Sequence, residues 1–139
     1  MEIEIHELPP AFDFSKGQLQ KIVKAVTTDL SLKALSITVI FVTDSYLAKM
    51  HNQYLNDPGK TDVLTFNLGD NEIEGEIYIS YERALEQAKT YSVSGEEEIV
   101  RLVIHGILHL AGFDDINEND RLIMKGRENQ LVDKYSGII

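Results

Sequence analysis

Two histidines and an aspartate carry the densest chemistry in this 139-residue chain. From Ile99 to Ala111 the sequence reads IVRLVIHGILHLA, and apart from Gly106 only Arg101, His105 and His109 interrupt the apolar run. A helix apolar nearly all round is a buried one, and the three exceptions recur every four residues, stacked on one stripe. Imidazoles on such a helix need partners, because an unsatisfied buried polar group costs about 1–3 kcal/mol. A lone histidine finds that partner in a backbone carbonyl. Two at i and i+4 bring their ring nitrogens to one point, the arrangement a zinc-type ion requires. The chain has no cysteine, so thiolate ligands are excluded and any metal site is built from His, Asp and Glu.

The third ligand follows from where the helix stops. Gly112 lets the chain leave with positive φ and double back, which returns Asp115 toward the pair. The order His, His at +4, Gly at +7 and Asp at +10 has the spacing of the long zinc-protease motif H-E-x-x-H-x-x-G-x-x-H. Gly106 stands where that motif has its general-base Glu, and Asp115 where it has its third His. The missing Glu counts against peptide hydrolysis, since that residue activates the water. Three protein ligands with one position left open is the layout of a catalytic metal site. No side chain stands out as a general base, which leaves activation of water to the ion. Asp115 has a second reading, as the cap of the following helix with Asp114 or a water completing the metal shell.

Around this helix the periodicity predicts a half-exposed strand at Ile3 and Ile5. A Ser15–Gln18 capping box opens a helix through Leu19, Ile22, Val23, Val26 and Leu30. A strand follows over Leu35–Val42. Asp44 or Ser45 caps a short helix carrying Leu47, Met50 and Tyr54, and Asn56-Asp57-Pro58-Gly59-Lys60 is a turn cluster. Strands are predicted at Val63–Phe66 and Glu76–Ser80, with helices over Tyr81–Tyr91, Glu96–Ala111 and Glu118–Lys134. Ser94 and Glu97 form a second capping box. About four strands with about five helices, partly alternating, make a two- or three-layer arrangement of helices on a sheet.

Composition bounds the rest. A length of 139 fits one domain, 43% hydrophobic residues support a core, and no apolar run approaches the roughly 18–20 residues that span a bilayer. The N-terminus lacks a basic segment followed by an apolar one, so the expected compartment is the cytoplasm and no membrane partner is expected. Thirteen Lys+Arg against 23 Asp+Glu leave a net charge of −10. That argues mildly against nucleic acid, unless a bound divalent cation supplies local positive charge.

With these residues in view, the chain resembles the YbeY family of bacterial metal-dependent endoribonucleases, whose signature reads approximately H-G-x-L-H-L-x-G-y-D-H. Here it stands as HGILHLAGFDD from His105 to Asp115, and Thr61-Asp62-Val63-Leu64-Thr65-Phe66 and Gly75-Glu76-Ile77-Tyr78-Ile79-Ser80 match two further blocks. The resemblance spans nearly the whole chain. It implies an α+β fold, a single domain over 1–139 with a small mixed sheet and a buried metal-binding helix. It implies one zinc ion, or another divalent metal, on His105, His109 and Asp115 at the mouth of a groove. The implied activity is cleavage of single-stranded RNA in maturation of the small-subunit ribosomal RNA 3' end and in ribosome quality control. The implied partners are ribosomal RNA and ribosomal proteins, not DNA. A zinc metallopeptidase-like hydrolase and a non-catalytic ribosome-assembly factor are the alternatives.

The chain departs from the family at Asp115, where a His is usual, and at Leu55, which takes the place of an Arg thought to engage RNA phosphates. Lys60, Arg83 and Arg101 are the substitutes for that Arg, each otherwise an ordinary surface or capping charge. Lys60, Asp62 and Arg101 are the weaker catalytic candidates, Asp62 either orienting a ligating His or serving as a turn residue. His51 and His6 are expected on exposed surfaces, and Met124 in the core. The Glu96-Glu97-Glu98 run suits a helix N-terminus and is given no further role.

Overall fold

The Ile3/Ile5 alternation becomes β1 (Glu2–His6), with Ile5 buried and both Glu4 and His6 facing outward. The computed structural model describes residues 1–55 and 61–138; the turn cluster with Lys60, and the side chain of Leu55, lie outside the described residues. The first capping box closes as expected. Gln18 N donates to Ser15 Oγ at 3.1 Å and Ser15 N donates to the Gln18 side chain at 2.8 Å, opening α1 (Lys16–Asp29). β2 (Ala34–Val42) then enters the core, with Ile37, Val39 and Phe41 buried. α2 (Asp44–Leu55) starts on Thr43, whose Oγ1 accepts from Tyr46 N; the expected caps, Asp44 and Ser45, lie just inside the helix.

β3 (Val63–Asn67) and β4 (Ile73–Ser80) pair antiparallel, and β4 and β1 both run parallel to β2, so the sheet is mixed with order β1-β2-β4-β3. β4 begins three residues earlier than its sequence pattern suggests. Gly75 reads as an interruption, yet it is a core-side strand position where the Leu110 side chain fills the space a Cβ would take. α3 (Tyr81–Tyr91), α4 (Gly95–Leu110), α5 (Glu118–Tyr135) and a short 3-10 turn at Ser136–Ile138 complete the order.

The layers follow from the strand alternation. Ile77 of β4 points toward α4, where a Cβ on Gly106 would lie 2.8 Å from Ile77 Cγ2. Tyr78 next to it points to the other face, its ring 6.0 Å from Phe66, which in turn meets Tyr54 of α2 at 5.4 Å. So α2 covers one face and α1 and α4 the other, with α3 and α5 packed on α4. α4 is the innermost helix: Ile99, Val100, Val103, Ile104, Ile107 and Leu108 are fully buried. Among the described residues no helix is long and apolar enough to cross a membrane.

Candidate metal centre

The end of α4 is closed by a Schellman turn, in which Gly112 N donates to His109 O at 3.1 Å and Phe113 N to Leu108 O at 3.0 Å. Gly112 sits at φ +99, the positive value its position in the sequence calls for. The same turn orients a candidate ligand: His109 Nδ1 lies 3.2 Å from Phe113 O. A carbonyl only accepts, so Nδ1 carries the proton and Nε2 is left with its lone pair.

His105 is fixed by a side chain instead. Its Nδ1 lies 2.7 Å from Oε1 of Glu128, a carboxylate 3% exposed in the middle of α5. Glu128 Oε2 accepts from Arg101 Nη1 at 2.6 Å and from Lys125 Nζ at 3.0 Å. Burial pushes the Glu128 carboxyl up, but the hydrogen bonds from His105, Lys125 and Arg101 outweigh it and hold the group at about 2. An ionised carboxylate on Nδ1 again leaves Nε2 as the free lone pair, the arrangement that orients metal-bound histidines.

The two Nε2 atoms are 3.1 Å apart. Two lone pairs facing each other at that distance call for a proton on one ring or a cation between them. Burial and the neighbouring His105 lower the pKa of His109, and two such nitrogens beside a carboxylate are a donor set that fits a cation. One carboxylate oxygen of Asp115 joins these nitrogens, all three ligand atoms lying within 4.8 Å of one another. The competing reading of Asp115 does not match the geometry. Asn117 caps α5, accepting from Asp120 N at 2.8 Å, while Asp114 accepts from Ile116 N and faces a separate surface depression.

A groove of about 990 Å³ opens beside this group, between α4, α5 and the end of α3, and His105, Asp115 and Glu128 line it. Asp62 also lines it but touches neither histidine; its Oδ2 accepts from Gln87 Nε2 at 3.2 Å. The orienting role considered for Asp62 therefore falls to Glu128. Arg101 is at the groove but is committed to Glu128 and to Asn129 Oδ1 at 2.8 Å. Arg83 lies away from it, paired bidentately with Asp44 at 3.1 Å. Arg121 of α5 is exposed, lines the groove, and makes no ion pair among the described residues. His51 is half-buried on α2, not exposed as expected, and outside the metal group; His6 is exposed beside Glu4, and Met124 is buried.

Sequence reasoning missed Glu128 and Arg121. Glu128 had a signal: it is the one charged position on the buried face of α5 defined by Met124, Leu131, Val132 and Tyr135. Arg121 had none, being one of several charges on a polar helix surface.

Two imidazole nitrogens from a buried helix and a carboxylate from the turn that ends it, beside an open groove, make a donor set that could hold a metal ion, on an α+β scaffold suited to a metal-dependent enzyme. The sequence profile of the Endoribonuclease YbeY family matches residues 6–136. Endoribonuclease YbeY of Flavobacterium psychrophilum is 46% identical over 98 residues, covering 69% of this chain and 69% of that protein. The Carboxydothermus hydrogenoformans protein of that name is 33% identical over 134 residues, covering 93% and 94%. The solution structure of a Thermotoga maritima protein aligns with a TM-score of 0.65 at 29% identity, over 97% of this chain and 89% of the other. The chain belongs to the YbeY family.

Proposed function

We propose that this chain is a metal-dependent endoribonuclease that cuts single-stranded RNA and acts in maturation of the small-subunit ribosomal RNA 3' end and in ribosome quality control. One ion is held by His105, His109 and Asp115. The observation that carries this reading is the paired orientation of the imidazoles, each Nδ1 occupied and the two Nε2 atoms 3.1 Å apart beside a carboxylate. Two imidazoles and a carboxylate suit zinc, and the carboxylate also admits harder ions such as manganese. The YbeY endoribonuclease relatives supply the substrate class. Ribosomal RNA as substrate puts the activity in the cytoplasm, and with net charge −10 a basic ribosomal protein is the partner that would help hold the RNA. DNA is not expected as substrate.

When bound, the ion supplies Lewis-acid stabilisation of phosphate charge and activation of water. The chain's own residues do the positioning. Glu128 and Phe113 O hold the two rings in the ligating tautomer, and Arg121 offers a cation to a substrate phosphate in the groove. The peptidase reading finds no support at Gly106. That position faces Ile77 in the core, so a glutamate there would collide with the sheet instead of reaching the groove.

The test offers labelled single-stranded RNA, duplex RNA, single-stranded DNA and a peptide to the protein purified without a metal-binding tag, with elemental analysis alongside. The expected result is about one equivalent of zinc and cleavage of single-stranded RNA alone. Asp115→Ala is expected to lose metal and activity, and Asp115→His to keep metal. Peptide cleavage, or a wild-type protein that takes up no metal, would overturn the reading. Full metal occupancy in Asp115→Ala would remove Asp115 from the ligand set.

A further inference from the structure

Glu98 is a second buried carboxylate in the groove, and the metal centre makes no use of it. It is 3% exposed, it lines the groove, and no described residue donates a hydrogen bond to its oxygens, which keep a little contact with solvent there. It stands seven residues before His105 on α4, two helical turns or about 10 Å along the axis. At this end of the groove the connection 92–94 joins α3 to α4, and Tyr91, the last residue of α3, lines the groove 67% exposed. A large exposed aromatic ring thus lies in one groove with a buried carboxylate that lacks a donor.

Charge decides what part of a nucleic acid belongs there. Asp62 and Glu97 line the groove along with Glu98, and Arg101 on the same helix as Glu98 is spent on Glu128 and Asn129. A phosphate is repelled from such a surface. On the opposite wall α5 carries Arg121, exposed and in no ion pair among the described residues, with Lys125 paired to Glu128 at 3.0 Å and Glu118 one turn before Arg121. A strand lying in the groove therefore runs its phosphates along α5 and turns its bases toward α3 and α4. Stacking on an aromatic ring is open to every base, and a carboxyl group meets the hydrogen-bonding groups of a base edge.

We propose that Tyr91 and Glu98 form a nucleobase subsite, in which a base neighbouring the nucleotide at the metal centre stacks on the Tyr91 ring with its edge on the Glu98 carboxyl. This rests on the endoribonuclease reading above. Burial raises the Glu98 carboxyl to about 7, against the opposing pull of Arg101, so near neutral pH the group is available both as a donor and as an acceptor.

The experiment measures binding of a fluorescein-labelled single-stranded oligoribonucleotide to the metal-loaded protein by anisotropy, with cleavage and metal content read in parallel. Tyr91→Ala is expected to weaken binding about 5- to 100-fold with metal content unchanged, and Tyr91→Phe to bind as wild type. Glu98→Gln, close in shape, is expected to alter the relative affinity for oligo-U, oligo-A and oligo-C. An oligonucleotide with abasic positions should bind wild type and Tyr91→Ala alike. If Tyr91→Ala and Glu98→Gln bind every probe as wild type does while RNA is still cut, the subsite is overturned and the endoribonuclease reading stands. If Tyr91→Ala weakens the abasic probe equally, the ring does not hold a base and the subsite is also overturned. A wild-type protein that neither binds nor cuts RNA overturns both.

Discussion

Glu98 on α4 and Glu128 on α5 face one groove, and each is 3% exposed, yet their chemistry is opposite. Glu128 receives hydrogen bonds from Arg101, Lys125 and His105 and is held at about 2; Glu98 receives none and is raised to about 7. Burial is the same, so the partners make the difference. A carboxylate with its lone pairs filled by the protein serves the protein, here by fixing a ring nitrogen. One left empty in a groove retains its capacity for something from outside.

The largest effect expected from this contrast is at Glu128→Ala. Removing the carboxylate strands Arg101 and frees His105, so stability should fall by about 3 kcal/mol and metal affinity by about 10- to 100-fold. Glu98→Ala should leave metal affinity unchanged. Urea unfolding and a chelator competition measure both, and equal losses in the two variants would erase the distinction. Glu128→Gln keeps an acceptor for His105 Nδ1 and should fall between wild type and alanine.

His109 offers a sharper control because its orienting group is a backbone carbonyl. Gly112→Ala places a Cβ at φ +99, costing about 1–2 kcal/mol, and relaxation of that turn should displace Phe113 O and weaken metal binding. A variant that loses stability but binds metal as tightly as wild type would show that the carbonyl has no orienting role.

Glu98 adds a pH dependence of opposite sign to that of Glu128. Burial lifts its folded value to about 7, above the ordinary 4.5, with Arg101 and Lys125 opposing the rise and Asp62 and Glu128 reinforcing it. Between those values the folded chain keeps a proton that the unfolded chain has released, so the contribution of Glu98 to stability is full below about pH 4.5 and falls as pH rises through 7. Glu98→Gln should therefore match wild type near pH 4.5 and exceed it at pH 8 in urea unfolding. Equal stability at both would mean that the carboxylate finds a partner after all.

The smallest effect concerns salt. With so few uncommitted cations in the groove, RNA affinity should fall only gently with salt, as for about one or two phosphate contacts. Arg121→Ala should reduce that slope by about one. A steep slope would mean that the charge layout of the groove is not what governs binding.

The clustering of His105 with His109 was legible because i,i+4 spacing on an apolar helix is local information, and the return of Asp115 toward them because a glycine stop fixes where the next residues go. The strand cores and the helix caps at Ser15 and Ser94 were legible for the same reason. What sequence hid was long-range. Glu128 lies 23 residues from the histidine it orients, and only packing of α5 on α4 brings them together. Glu98 was concealed by its neighbours. In a run of three glutamates at a helix start, all three suit the dipole, but helical geometry turns only the third into the interior. Strand order was hidden too, since β4 passes between β2 and β3 in space and follows both in sequence.

The position of α4 has a kinetic consequence. Two of the three proposed ligands ride on the innermost helix, whose amides become accessible only when the sheet and α5 separate from it. The third is on the exposed turn beyond Gly112. Amide exchange along His105 to His109 should therefore track global unfolding, while the amides of Asp114 and Asp115 exchange through local opening. The group can loosen at one end without the domain coming apart, and in the proposed metal centre that exposed end would be the way in and out for the ion.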